Sequence, residues 1–209
     1  GELGTALLMQ SSADDGTSML ESAGAAFDAA LTVTAREQAP DGWARNRTNL
    51  ASALMSLGYR TGDVTTLKRS AEIYRSLLAV RTRDRTPELW ERTQQELARV
   101  LGILGSRDAD AAVFNEAVSV NRALAEHVGR DRDPERWANL QNEVGYSLML
   151  AGRAEGDPAR FEEAVPILRE AVAVQKRLNA VPAVAFTEDS LCNALTELGA
   201  VKRDRAMAE

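Results

Sequence analysis

Apolar residues recur at three- and four-residue spacing through most of the chain, as in Trp43, Ala44, Leu50, Ala53, Leu54 and Leu57. That spacing marks helices with one buried stripe. The alternation of a half-buried strand is missing and β-branched residues are sparse, so the pattern predicts an all-α chain. The helical stripes come in pairs. The first of each pair begins at Pro-x-x-Trp, where proline suits an opening turn because its absent N–H would have no partner there. It is expected to stop at Gly58, Gly105 or Gly152, as glycine often ends a helix. Polar loops at 59–63, 106–110 and 153–157 follow, then second helices over about 64–83, 110–128 and 158–178. The inner face of these second helices carries small residues at Ala23, Ser70, Ala117 and Ala164. Four residues on stand Phe27, Tyr74, Asn121 and Leu168, then Ala30, Leu77, Leu124 and Ala171.

The pairs repeat at a fixed step. Trp43, Trp90 and Trp137 are 47 residues apart, as are Pro40, Pro87 and Pro134, and Gly58, Gly105, Gly152 and Gly199. The stretches NLASALMSLG, ELARVLGILG, EVGYSLMLAG and SLCNALTELG align without gaps. A repeated helical hairpin cannot bury its apolar face alone, so neighbours must stack. The whole of 1–209 reads as one repeat domain, with units at 1–39 (partial), 40–86, 87–133, 134–181 and 182–209 (partial). About nine helices are expected. The chain opens inside a first helix (2–11) and closes on another (183–200), with its partner helix only beginning at KRDRAMAE. An uncovered terminal helix exposes apolar surface. The expectation is therefore that the natural protein continues, or that the open end forms a homodimer. Pro166 falls inside a second helix and should kink it.

Composition narrows the chemistry. One cysteine and one histidine cannot build a Cys₂His₂ or Cys₄ zinc site, and one thiol makes no intrachain disulfide, which fits a reducing, cytoplasmic setting. A Ser-His or Cys-His enzyme would have to use His127. That residue sits at a helix end before Gly129, where it complements the helix dipole. There is no Gly-x-x-x-x-Gly-Lys motif and no Gly-x-Gly-x-x-Gly motif, and Asp108 and Asp110 lack the remaining ligands of a calcium loop. No enzyme activity and no cofactor are expected. A net charge of −6 argues against a nucleic-acid partner, and no apolar run approaches the roughly 18–20 residues of a membrane helix. Cys192 is expected as a small buried apolar residue, the tryptophans as packing elements, and Asp133 as the cap of the helix starting at Pro134.

Small residue, aromatic four later and small residue three later in the second helix, with Leu50-Ala51-x-x-Leu54…Leu57-Gly58 in the first, resembles the tetratricopeptide repeat. The 47-residue unit and Arg60-Thr61-Gly62-Asp63 are similar to a long-repeat variety from bacterial multidomain proteins. The resemblance implies a right-handed α-solenoid of stacked antiparallel helix pairs, with first helices lining a concave face. Inward-facing positions would then be Arg45, Thr48, Ser52 and Met55, with Arg92, Gln95, Arg99 and Ile103 one step on. Asn139, Asn142, Tyr146 and Met149 follow, and Phe186, Asp189, Asn193 and Thr196 end the series. Arginine and amide rows suit peptide carboxylates and backbone amides, and methionine suits adaptable apolar contact. The implied function is a non-catalytic scaffold for a protein or peptide. The alternative is a sensor or regulatory segment of a larger bacterial signalling protein with a protease or nucleotide-hydrolysing module.

Overall fold

The computed structural model describes residues 2–5, 16–33 and 39–208. Among them the chain is helical with no strand. The segments are α1 (2–5), α2 (Gly16–Val33), α3 (Pro40–Thr61), α4 (Val64–Leu78), α5 (Pro87–Asp108), α6 (Ala111–Val128), α7 (Pro134–Glu155), α8 (Pro158–Arg177) and α9 (Val181–Ala208). The fold is an all-α helical repeat, with consecutive helices packed on one another within each compact unit. The chain forms two compact units, Gly1–Asp108 and Ala109–Glu209.

In the first unit α2 packs on α3, α3 on α4 and α4 on α5, and α3 also touches α5. The apolar stripes form the core: Ala23, Phe27, Leu50, Leu54, Tyr74 and Leu77 are buried as read from the sequence, joined by Leu20, Leu67, Leu97 and Leu101. A fully buried leucine contributes about 1.5–3 kcal/mol of transfer free energy, so this stripe dominates the unit's stability. Ser70 shows why the position facing the first helix must be small. It is fully buried, and its hydroxyl donates to the Ala51 carbonyl of α3 at 2.8 Å.

The second unit repeats the scheme. Its largest core joins Val118, Val144, Leu148, Met149, Phe161, Ala164, Val165, Leu168 and Ala194 from α6 to α9. A neighbouring cluster holds Trp137 among Ala125, Val128, Ala138, Ala171 and Val174. Trp137 therefore packs between the end of the preceding second helix and the end of the following one. Trp90 is likewise buried, while Trp43 is half-buried with the Arg47 guanidinium 5.1 Å from its ring centre.

The glycines that were to end the first helices do not end them. Helices α3, α5 and α7 run on three residues past Gly58, Gly105 and Gly152. The true stops are Gly62 and Gly156, at φ 73 and 66, with Ala109 at φ 49 in the same register. Gly58 is small for another reason: a Cβ there would lie 2.7 Å from Leu67 Cγ and 3.1 Å from the Asp63 carbonyl. At Gly152 the added Cβ would meet Arg160 Cβ at 2.9 Å and Phe161 Cζ at 3.1 Å. These glycines admit the next helix. The loop between paired helices is accordingly short.

Three aspartates at the repeat step then start the second helices. Asp63 accepts from the Thr65 and Thr66 amides, Asp110 from Ala112 and Asp157 from Ala159. Asp133 caps α7 as expected, accepting from the Arg136 amide at 3.0 Å. Helix α8 continues through Pro166, which is exposed.

Two expectations about the last helix need correction. It does not stop near Gly199 with a new helix beginning at KRDRAMAE; α9 continues to Ala208. Cys192 is exposed, not buried. The register positions Ala51 and Gly145 are covered by the second helices of their own hairpins, through Ser70 and Leu168. No such helix lies on Cys192 among the described residues. The expected first helix over 2–11 lies outside the described residues beyond position 5.

Candidate functional site

The first unit contains an open groove of about 900 Å³. One wall is the face of α3 carrying Pro40, Asp41, Ala44, Arg45, Thr48, Asn49 and Ser52, which helical periodicity brings to one side. The opposite wall is α5, with Leu89, Arg92, Thr93 and Glu96 at the same spacing. The floor is Tyr74 of α4, and Val80, Arg81, Arg85 and Thr86 of the connection to α5 close one end.

Four guanidinium groups, Arg45, Arg81, Arg85 and Arg92, line this groove against two carboxylates, Asp41 and Glu96. Glu96 is already engaged, 3.4 Å from Arg99. Arg81 is half-buried and donates to Thr93 Oγ1 at 3.0 Å, while its buried Nε has no partner among the described residues. Burial lowers the pKa of Arg81, and the nearby Arg92 charge lowers it further. Tyr74 is fully buried, yet its hydroxyl shares a 2.9 Å hydrogen bond with Ser52 Oγ. Burial pushes its pKa up to about 12, against a partial offset from the Ser52 bond.

Of the residues expected to face inward in this unit, Arg45, Thr48, Ser52 and Arg92 line the groove. Gln95 is turned to Glu91, 3.3 Å away, and Arg99 is spent on its Glu96 pair. Met55 is buried at 7% exposure. In the second unit Asn139 accepts from Gln175 at 3.1 Å, and Tyr146 is exposed. Asn142 is only 3% exposed and Met149 only 1%, so both are core residues with little to offer a ligand. Asn193 is half-buried and donates to Asp189 at 3.2 Å. Phe186 is 60% exposed.

The groove also uses residues outside the expected inward-facing series: Asp41, Asn49, Tyr74, Arg81, Arg85, Thr86 and Thr93. Arg81 was expected inside a second helix reaching 83, but α4 ends at Leu78. One signal was available. The repeat step aligns Arg81 with Val128 and Thr93 with Leu140, so a charged and a polar residue stand where the next repeat is apolar.

Among the described residues no group of three or more His, Cys, Asp and Glu side chains is placed to hold a metal ion. No described helix is long and apolar enough to cross a membrane.

No family model matches the chain. No curated protein matches it either. Among solved structures it is similar to a Podosopora anserina protein assigned as a kinesin light chain, with nearly identical TPR-like repeats. That match is 20% identical with a TM-score of 0.60, and it covers 99% of this chain and 88% of the other. A de novo designed helical repeat protein aligns at 17% identity and a TM-score of 0.35, covering 98% and 94%. The first likeness is one of fold, TPR-like stacked helix pairs.

Proposed function

We propose that this chain is a non-catalytic interaction scaffold of the long-repeat tetratricopeptide kind, and that the groove between α3 and α5 binds a peptide segment of a protein partner. The observation that carries this is the groove's wall chemistry. Two parallel rows of polar and cationic side chains flank apolar Ala44, Val80 and Leu89, over a floor of hydroxyls from Tyr74 and Ser52. Such a site presents many hydrogen-bond donors and acceptors at helical spacing, which suits a peptide backbone with acidic side chains. It offers no nucleophile held by a base.

The test is a random-peptide display selection on the full chain, with Thr48→Trp as the plugged control. Thr48 is half-buried on the groove wall, and an indole there occupies the space a peptide needs. Selected peptides should bind the plugged variant at least about tenfold more weakly, a difference of about 1.4 kcal/mol. Far-UV circular dichroism and Tm should stay unchanged. Undiminished binding to the plugged variant would contradict the groove assignment.

A further inference from the structure

Arg81 breaks the repeat at a place where the fold does not ask for a charge. Its counterpart one step on, Val128, is 7% exposed and sits in an apolar cluster with Leu140, the counterpart of Thr93. The second unit builds the same hairpin once with valine and leucine and once with buried Gln175 and Thr187, and neither pair carries a charge. In the first unit a half-buried guanidinium replaces the valine and bonds a threonine, and no carboxylate lies within ion-pair distance of it among the described residues. Removing a charge from water without a counter-charge is unfavourable, and long unpaired cations are rarely kept inside for packing alone.

The groove multiplies this anomaly. Arg92 is near enough for its charge to act on Arg81, and Arg85 and Arg45 line the same space. The buried Nε of Arg81 has an unused donor. Two guanidinium groups that repel each other are both neutralised by a dianion with three acceptor oxygens. A carboxylate monoanion neutralises one of them. Asp41 and Glu96 also line the groove, and Glu96 is held by Arg99.

We infer that Arg81, with Arg92 opposite and Arg85 beside it, receives a phosphorylated side chain of the peptide bound in the groove. This rests on the groove reading above and specifies its ligand. No covalent step is involved; the phosphate is recognised, not transferred.

Four probes separate the possibilities in an NMR titration of the full chain, read at the arginine Nε–Hε and groove backbone resonances. They are acetyl-Gly-Ala-phosphoserine-Ala-Gly-amide, its serine counterpart, its glutamate counterpart and inorganic phosphate. Blocked termini remove any competing carboxylate. The phosphoserine peptide should shift the Arg81 Nε–Hε signal and bind at least about tenfold more tightly than each of the other three, one charge-assisted pair being worth that much. Arg81→Val should lose at least about tenfold in that affinity while keeping Tm, because the next unit places valine there and Thr93 keeps its bond to the Leu89 carbonyl. Equal affinity for the glutamate peptide would make this a general carboxylate site and overturn the inference. Equal affinity for free phosphate would overturn the peptide source. Undiminished binding by Arg81→Val would overturn the role of Arg81. Each of these leaves the groove standing if display-selected peptides still lose binding to Thr48→Trp. The groove fails separately if they do not.

Discussion

Tyr74 belongs to two environments at once. Its ring fills the centre of the first unit's core, and its hydroxyl meets Ser52 at the groove floor. Burial raises the folded-state pKa from 10.0 to about 12, so the folded chain holds the phenolic proton more tightly than the unfolded chain does. The resulting stability is complete below pH 10 and is lost as pH rises towards 12. The loss runs on the order of 1 kcal/mol per pH unit across that window. Tyr74→Phe should therefore unfold at a lower temperature than the parent near neutral pH, because it leaves Ser52 without its hydroxyl partner. The gap should narrow or reverse between pH 10 and 12. Parallel Tm curves across that range would contradict the account. At this scale the sequence was informative wherever a residue followed the repeat. Tyr74 occupies the aromatic position expected of a second helix. It misled where side-chain direction or missing cover decided the matter. Met149 follows the groove series by spacing but points into the core, and Cys192 lacks the second helix that covers its counterparts.

Elements were legible through periodicity, and their ends were not. The starts at Pro40, Pro87 and Pro134 are where proline placed them. The stops were misassigned because glycine has two uses in a helix, termination and close approach, and a one-dimensional pattern does not separate them. Gly58 and Gly199 make the distinction testable, since they share one register. A Cβ at Gly58 would meet Leu67 Cγ at 2.7 Å, whereas at Gly199 nothing described lies within 4 Å. Gly58→Ala should destabilise by about 1–3 kcal/mol through overpacking, set against up to about 1 kcal/mol gained in helix propensity. Gly199→Ala should stabilise α9 by up to about 1 kcal/mol, because only propensity changes there. Chemical denaturation of the two variants checks this pair. Equal signs would show that the register and not the packing sets the effect. The ion pairs between neighbouring helices, such as Arg69 with Asp28 at 2.8 Å and Lys68 with Asp108 at 2.7 Å, are solvent-exposed. Each adds little to stability, although together they favour one alignment of the helices.

For the whole molecule, the 47-residue step carried the fold class, because three tryptophans, three prolines and four glycines in one register admit few architectures. It carried the candidate site only in part. Arg45, Thr48, Ser52 and Arg92, inward-facing by the tetratricopeptide resemblance, line the groove, while Arg81 and Arg85 come from the connection after α4, where no helical period applies. The chain is acidic, at −6, yet the groove carries four arginines against two carboxylates. That contrast favours an anionic partner at the groove, and the attraction should weaken as added salt screens it. The most direct measurement is a backbone amide shift map of the full chain with a display-selected peptide. Shifts are expected to concentrate at Arg45, Thr48, Ser52, Thr86, Arg92 and Glu96. Shifts centred instead on Tyr146 and Phe186 of the second unit, with the groove amides unmoved, would contradict it.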